Sequence, residues 1–94
     1  MEAITTHSAD KITPEMIEDA IERCDFIRHE PVPTLTICVL KLRNGFAVVG
    51  KSGCVDPANF DQGIGERVAR EDAVSKVWEL MGFALRDRMA GEGR

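Results

Sequence analysis

Residues 39–61 read VLKLRNGFAVVGKSGCVDPANFD, and the fold turns on how this stretch is read. Thr34–Leu42 is rich in Thr, Ile, Val and Leu, the β-branched and bulky residues that suit a pleated surface, and predicts a strand. Asn44-Gly45 follows, a dipeptide that accepts the φ > 0 of a type I′ turn, and a second apolar run begins at Phe46. A two-residue turn sets Leu42 opposite Ala47, Leu40 opposite Val49 and Cys38 opposite Lys51. Leu35, Ile37, Val39, Phe46 and Val48 then share the other face. Both faces of this hairpin are largely apolar. Helices can cover one; self-association is the simplest way to cover the other, the alternative being two helices wrapped on both sides of a small sheet.

Working outward, Asp56-Pro57 predicts a capped turn, and Asn59-Phe60-Asp61-Gln62 has the form of a capping box, with Gln62 reaching back to the Asn59 N–H. A long helix is expected beyond it. Its apolar positions are Ile64, Val68, Val74, Val77, Trp78, Met81 and Leu85, and Glu66–Arg70, Arg67–Glu71 and Asp72–Lys76 form i,i+4 pairs of opposite charge. Gly82 is expected to end or bend this helix, with a short helical piece over 83–89.

On the N-terminal side, Thr13-Pro14 is a helix start. Ile17, Ala20, Ile21 and Cys24 recur at helical spacing, and Glu15, Glu18, Asp19 and Glu22 occupy the other face. Pro31 and Pro33 enforce extended chain. The run 26–29 before them is a short strand candidate. The expected architecture is α+β: an N-terminal helix, a small antiparallel sheet with an Asn-Gly hairpin, and a long C-terminal helix. Residues 1–11 read as a loose arm, 12–90 as a single domain and 91–94 as a frayed tail.

The chain has 94 residues, 44% hydrophobic and 30% charged, with a net charge of −4. A chain of this length buries roughly 60–65% of its unfolded surface, so a core is possible but thin. The net charge speaks against a phosphate-backbone binder and makes nucleic acid an unfavoured partner. Three dispersed cysteines, Cys24, Cys38 and Cys54, form neither a disulfide framework nor a zinc pattern and read as reduced thiols. The polar N-terminus lacks a signal-peptide core, and no apolar run approaches the ~20 residues of a membrane span. A soluble protein of the cytoplasm, without metal or cofactor, is expected.

No catalytic constellation is visible. His7 and His29 stand in no nucleophile motif, Cys54 suits packing at a strand end, and Asp56 and Asp61 have simpler work as caps. There is no GxxxxGK[ST], and no GxGxxG after a strand. A non-enzymatic protein is expected, with no catalytic residues. Arg43, Asn59, Phe60, Arg67 and Arg70 alone combine phosphate-binding donors with an aromatic and an amide for a base, and form the candidate ligand site.

SGCVDPANFDQGIG with ERVAREDAVSKVWELMGFALRDR resembles a family of small tailed-bacteriophage proteins, named after the gene 49 product of an Escherichia coli podovirus and the gene 66 product of a Shigella phage. The matching pieces are Arg43-Asn44-Gly45-Phe46, Cys54-Val55-Asp56-Pro57, Asn59-Phe60-Asp61, Gly65 and Lys76-Val77-Trp78, within residues 12–88. Gly53, where Ala is usual, and Met81-Gly82-Phe83-Ala84 depart from the family pattern. The resemblance implies a phage accessory protein, acting in the host cytoplasm by stoichiometric binding in host takeover or anti-defence. Two forms of binding are expected: sequestering a host nucleotide signal, or inhibiting or adapting a host protein through the acidic surface. A homo-oligomer built through the hairpin is expected in either case.

Overall fold

The computed structural model describes residues 11–93; residues 1–10, most of the arm expected over 1–11, and Arg94 lie outside the described residues. The fold is α+β. Helix α1 (Pro14–Ala20) leads into strand β1 (Ile21–Arg28), strand β2 (Leu35–Leu42) and strand β3 (Ala47–Gly53). A 3₁₀ turn (Pro57–Asn59) then precedes helix α2 (Gln62–Gly91). The three strands form an antiparallel meander in the order β1-β2-β3.

Helix α1 starts as expected: the Thr13 side chain accepts the Met16 N–H, and Pro14 occupies the first turn. It stops earlier than the helical spacing through Cys24 suggests. Ile21 already has extended backbone, and Ile21–Arg28 runs as a strand of eight residues, twice the length of the candidate expected over 26–29. Pairing with β2 overrides the local helical pattern, with Cys24 opposite Leu40, Phe26 opposite Cys38 and a bulge between Ile21 and Arg23.

The hairpin forms at Asn44-Gly45, but in a different register from that of a two-residue turn. The Leu42 N–H bonds the Phe46 carbonyl, the Gly45 N–H bonds the Leu42 carbonyl, and Gly45 takes positive φ (+92°). The loop therefore has three residues, Arg43–Gly45, and the Asn44 side chain accepts the Phe46 N–H. Lys41 pairs with Ala47, Leu40 with Val48 and Cys38 with Gly50. A shift of one residue exchanges the faces of β3. Val48 and Gly50 point into the core with Thr36, Cys38, Leu40 and Leu42, while Val49 and Lys51 turn outward.

Helix α2 lies on that inner face. Its buried positions are Gly65, Ala69, Ala73 and Val77, a row at i,i+4 with small side chains. Small residues let backbones meet: a Cβ on Gly50 would lie 2.3 Å from the Ala69 carbonyl oxygen and 2.3 Å from the Ala73 nitrogen. Ile17 of α1 closes the core, with Ile12, Ile21, Cys24, Val74 and Met81 packed around it. Helix α2 passes through Gly82 without ending and continues to Gly91. Thirty residues span about 45 Å, and strands of eight about 27 Å, so the C-terminal part of α2 overhangs the sheet.

Among the described residues, nothing packs over the other face of the sheet. Ile27, Leu35, Ile37, Val39, Ala47 and Val49 lie on it, bordered by Arg23, Asp25, Lys41 and Lys51. Ile27 and Val49 each keep 48% of their surface exposed.

Candidate functional site

The start of α2 is built from two successive caps. Asp56 accepts the Ala58 N–H and the Asn59 side-chain amide, holding the 3₁₀ turn; Asp61 then accepts the Ile64 N–H as the cap of α2. Asn59 is thus not the helix cap, and Gln62 does not reach back to it. Gln62 instead accepts from Arg28 and donates to Glu66. Asn59 closes the 3₁₀ turn that Pro57 opens, and the extended Phe60 separates it from α2, which is why the capping box does not form.

Between this segment, the end of β3 and the first turns of α2 lies a cleft of about 260 Å³, lined by residues that include Thr34, Ser52, Cys54, Asn59, Phe60 and Ile64. Gly65 forms part of the wall, and the Ser52 hydroxyl donates to its carbonyl at 2.7 Å. A Cβ on Gly65 would lie 2.9 Å from the Thr36 hydroxyl and 3.4 Å from the Phe60 ring, so this wall needs glycine. Thr36 is fully buried, and its hydroxyl has no hydrogen-bond partner among the described residues. Cys54 donates its thiol to the Asp56 carbonyl at 3.1 Å. On its other side Phe60 carries the Arg28 guanidinium, 4.7 Å from the ring centroid.

Of the five residues expected to form a ligand site, the structure brings Asn59 and Phe60 together in this cleft. The arginines lie elsewhere. Arg67 is on the exposed side of α2, 3.9 Å from Glu71. Arg70 reaches Glu18 of α1 at 2.8 Å rather than Glu66, and hydrogen bonding to that carboxylate raises its pKa. Arg43 is at the hairpin turn, donating to the Asp19 carbonyl beside Pro14, Glu15 and Glu18. Arg28, stacked on Phe60, is the cation nearest the aromatic wall. Its place two residues beyond Phe26 in the strand pattern is the only sequence signal for it, and the strand candidate over 26–29 contained it.

The acidic face of α1 is partly neutralised from within the chain. Glu18 pairs with Arg70, and Glu22, at the β1 bulge, with Lys41 at 3.1 Å. A second groove, of about 420 Å³, runs between β3 and α2 and is lined by Phe46, Val49, Lys76, Glu79 and Leu80 among others. Phe46 is 56% exposed, and Phe83, one turn beyond Glu79, 71%.

Cys24, Cys38 and Cys54 are free thiols. The Cys24 and Cys38 sulfurs are 3.6 Å apart. Burial pushes the Cys38 thiol up to about 12, with the Cys24 contact adding to the shift. Among the described residues no three His, Cys, Asp or Glu side chains gather closely enough to hold a metal ion, and no helix is long and apolar enough to cross a membrane.

No curated protein and no solved structure matches the chain. Residues 12–89, which include the segment 54–61 that builds the cleft, match a family of phage proteins. The chain belongs to the phage protein (N4 Gp49/phage Sf6 gene 66) family.

Proposed function

We propose that this phage protein is a non-enzymatic accessory factor in host takeover or anti-defence, and that it sequesters an anionic nucleotide-type signal of the host by stoichiometric binding. The observation that carries this reading is the shared placement of Asn59 and Phe60 in a cleft at the start of a 30-residue helix. Phe60 offers a ring for stacking a base, Asn59 an amide for its edge, and the helix start a positive dipole end for a phosphate. Arg67 holds Glu71 only at 3.9 Å and is well exposed, so exchanging that contact for a phosphate costs little. Arg43 and Arg70 hold the Asp19 carbonyl and the Glu18 carboxylate and take no part in this cleft. Calorimetry against cyclic and linear nucleotides tests the reading. Asn59→Ala and Phe60→Ala should weaken binding at least tenfold. No binding tighter than about 100 μM, roughly −5.5 kcal/mol, overturns it.

A second reading rests on a separate observation, the groove at Phe46 and Leu80 beside the exposed Phe83. Exposed aromatics around an apolar groove suit a host protein better than a nucleotide. This reading moves the expected protein-binding surface from the acidic helix, whose Glu18 and Glu22 are already paired, to the apolar side. Capture of one host protein that is lost with Phe83→Asp, in a chain that binds no nucleotide, would select it.

A further inference from the structure

The two edges of the sheet are treated differently. Hydrogen-bonded pairs alternate along an antiparallel ladder, and the Leu42–Phe46 closing pair fixes which residues of each strand face which neighbour. On β3 the backbone groups of Ala47, Val49 and Lys51 point away from the sheet. Helix α2 covers two of them: Lys76 donates to the Val49 carbonyl at 2.6 Å, and Asp72 accepts the Lys51 N–H at 2.9 Å. Those are the two groups that one residue of an added parallel strand would use, and the Asp72–Lys76 pair occupies its place. On β1 the same alternation turns Cys24, Phe26 and Arg28 outward, and among the described residues no hydrogen bond reaches their N–H or C=O groups.

We infer that the β1 edge is the seam of a two-fold dimer, in which β1 of a second copy adds antiparallel to give a six-stranded sheet. This surface is distinct from the hairpin face and independent of the nucleotide reading. Registers that keep the outward groups paired differ in what they oppose. Asp25 on the two-fold axis sets two carboxylates against each other, which is destabilising. Phe26 on the axis sets Asp25 against Ile27. Ile27 on the axis sets Ile27 against its own copy, Asp25 against His29 of the second copy, and Phe26 against Arg28 of the second copy. That last register alone joins the uncovered Ile27–Ile37 stripe of one protomer to that of the other; it also sets the Asp25 carboxylate, which Arg23 already holds, beside an imidazole, and Phe26 beside the Arg28 guanidinium that stacks on Phe60. The match selects a second copy of this chain as the occupant.

Light scattering at 10–100 μM, about the range in which weak dimers form, should give twice the 10.4 kDa chain mass. Phe26→Pro removes an N–H that the sheet itself does not use, so the strand tolerates it and the seam does not; at least a tenfold loss of dimer is expected with the circular dichroism unchanged. Hydrogen exchange on the unaltered protein gives a reading that no folding defect can confuse. The Phe26 and Arg28 amides should gain protection as concentration rises. Ile27→Cys, in a Cys24→Ser, Cys54→Ser background, should form an intermolecular disulfide, because directly opposed residues of a non-hydrogen-bonded pair lie about 4.5 Å apart. A monomer at 100 μM, or Phe26 and Arg28 amides whose exchange does not change with concentration, overturns the inference.

Discussion

Replacing Gly50 with Ala should be among the most damaging single-methyl changes in this chain. The added Cβ would meet the Ala69 carbonyl oxygen and the Ala73 nitrogen at 2.3 Å and the Ala73 Cα at 2.8 Å, where ordinary contact begins at 3.4 Å. All three are backbone atoms of a regular helix, so no rotamer change relieves the clash. Helix α2 must lift by about 1 Å, and a gap of that size forfeits a quarter to a half of the dispersion energy along the row Gly65, Ala69, Ala73 and Val77. Over-packing costs about 1–3 kcal/mol when side chains can adjust, and a backbone clash belongs at or above the top of that range. A loss of about 3 kcal/mol corresponds to a fall in Tm of roughly 12–24 °C for a domain of this size. Thermal and urea denaturation followed by circular dichroism measure it. Ala69→Gly or Ala73→Gly should not rescue the variant, because neither removes a clashing atom. A Gly50→Ala protein melting within about 2 °C of the parent, or one rescued by either glycine, would refute the close approach of β3 and α2.

Asp61→Ala should cost about 0.5–2 kcal/mol by removing the cap of α2, whereas Asn59→Ala, which loses only a side-chain bond to Asp56, should leave Tm nearly unchanged; urea denaturation of both variants distinguishes them. At pH 8 a thiol reagent should modify Cys54 rapidly and leave Cys38 unmodified until the protein unfolds, since burial holds the Cys38 thiol neutral. Because its folded pKa lies above the unfolded value, the stability Cys38 contributes is complete below about pH 8.5 and is lost as pH rises toward about 12. Chemical denaturation at pH 7.5 and 10 should show this loss in the parent and a smaller one in Cys38→Ala.

The element order was legible because each element carries its own local signal: Thr13-Pro14, the β-branched run to Leu42, Asn44-Gly45, and the charge-paired helix. The register was not. Asn-Gly serves both a two-residue type I′ turn and a three-residue loop with Gly at the last position, so the dipeptide announces a hairpin without fixing its pairing. The deciding signal lay further along. A two-residue turn puts Lys51 beside Cys38 on a face shared with Leu40 and Leu42, whereas the observed register puts Gly50 there, and the helix presents Gly65, Ala69 and Ala73 to receive it. Small residues at i,i+4 on a helix and a lone Gly in a strand are one signal when read together, and a hydrophobicity pattern misses it because glycine and alanine add little to it. The end of α1 was hidden for a different reason: Ile21 and Cys24 fit a helical face, and only pairing with Leu42 and Leu40 makes them strand.

The candidate site was legible as composition but not as geometry. Asn59 and Phe60 sit together because two caps and a proline fix the chain between β3 and α2. The arginines join them by chemistry alone, and the fold separates them: Arg43 stays at the hairpin, and helical geometry turns the other two away. Gly65 faces the sheet, so Arg67, two positions on, turns toward solvent, and Arg70 turns toward α1. A nucleotide in the cleft of one protomer would therefore meet hydroxyls, an amide and a ring, with Arg28 behind that ring, before any other arginine. Arg28 is held by Gln62, the Pro33 carbonyl and the Phe60 ring, so it is already oriented, and an anion could approach it without reordering a long side chain. It is also the residue that the β1 seam sets against Phe26 of a second copy. Arg28→Ala, which frees the Phe60 ring and removes the guanidinium from the seam, should weaken ligand binding and dimerisation together, whereas Arg67→Ala should touch only the ligand; calorimetry and light scattering on the two variants separate these effects. Dimerisation left intact in Arg28→Ala would show that the seam does not use the guanidinium, and unaltered ligand binding would show that the ligand does not reach the guanidinium behind Phe60.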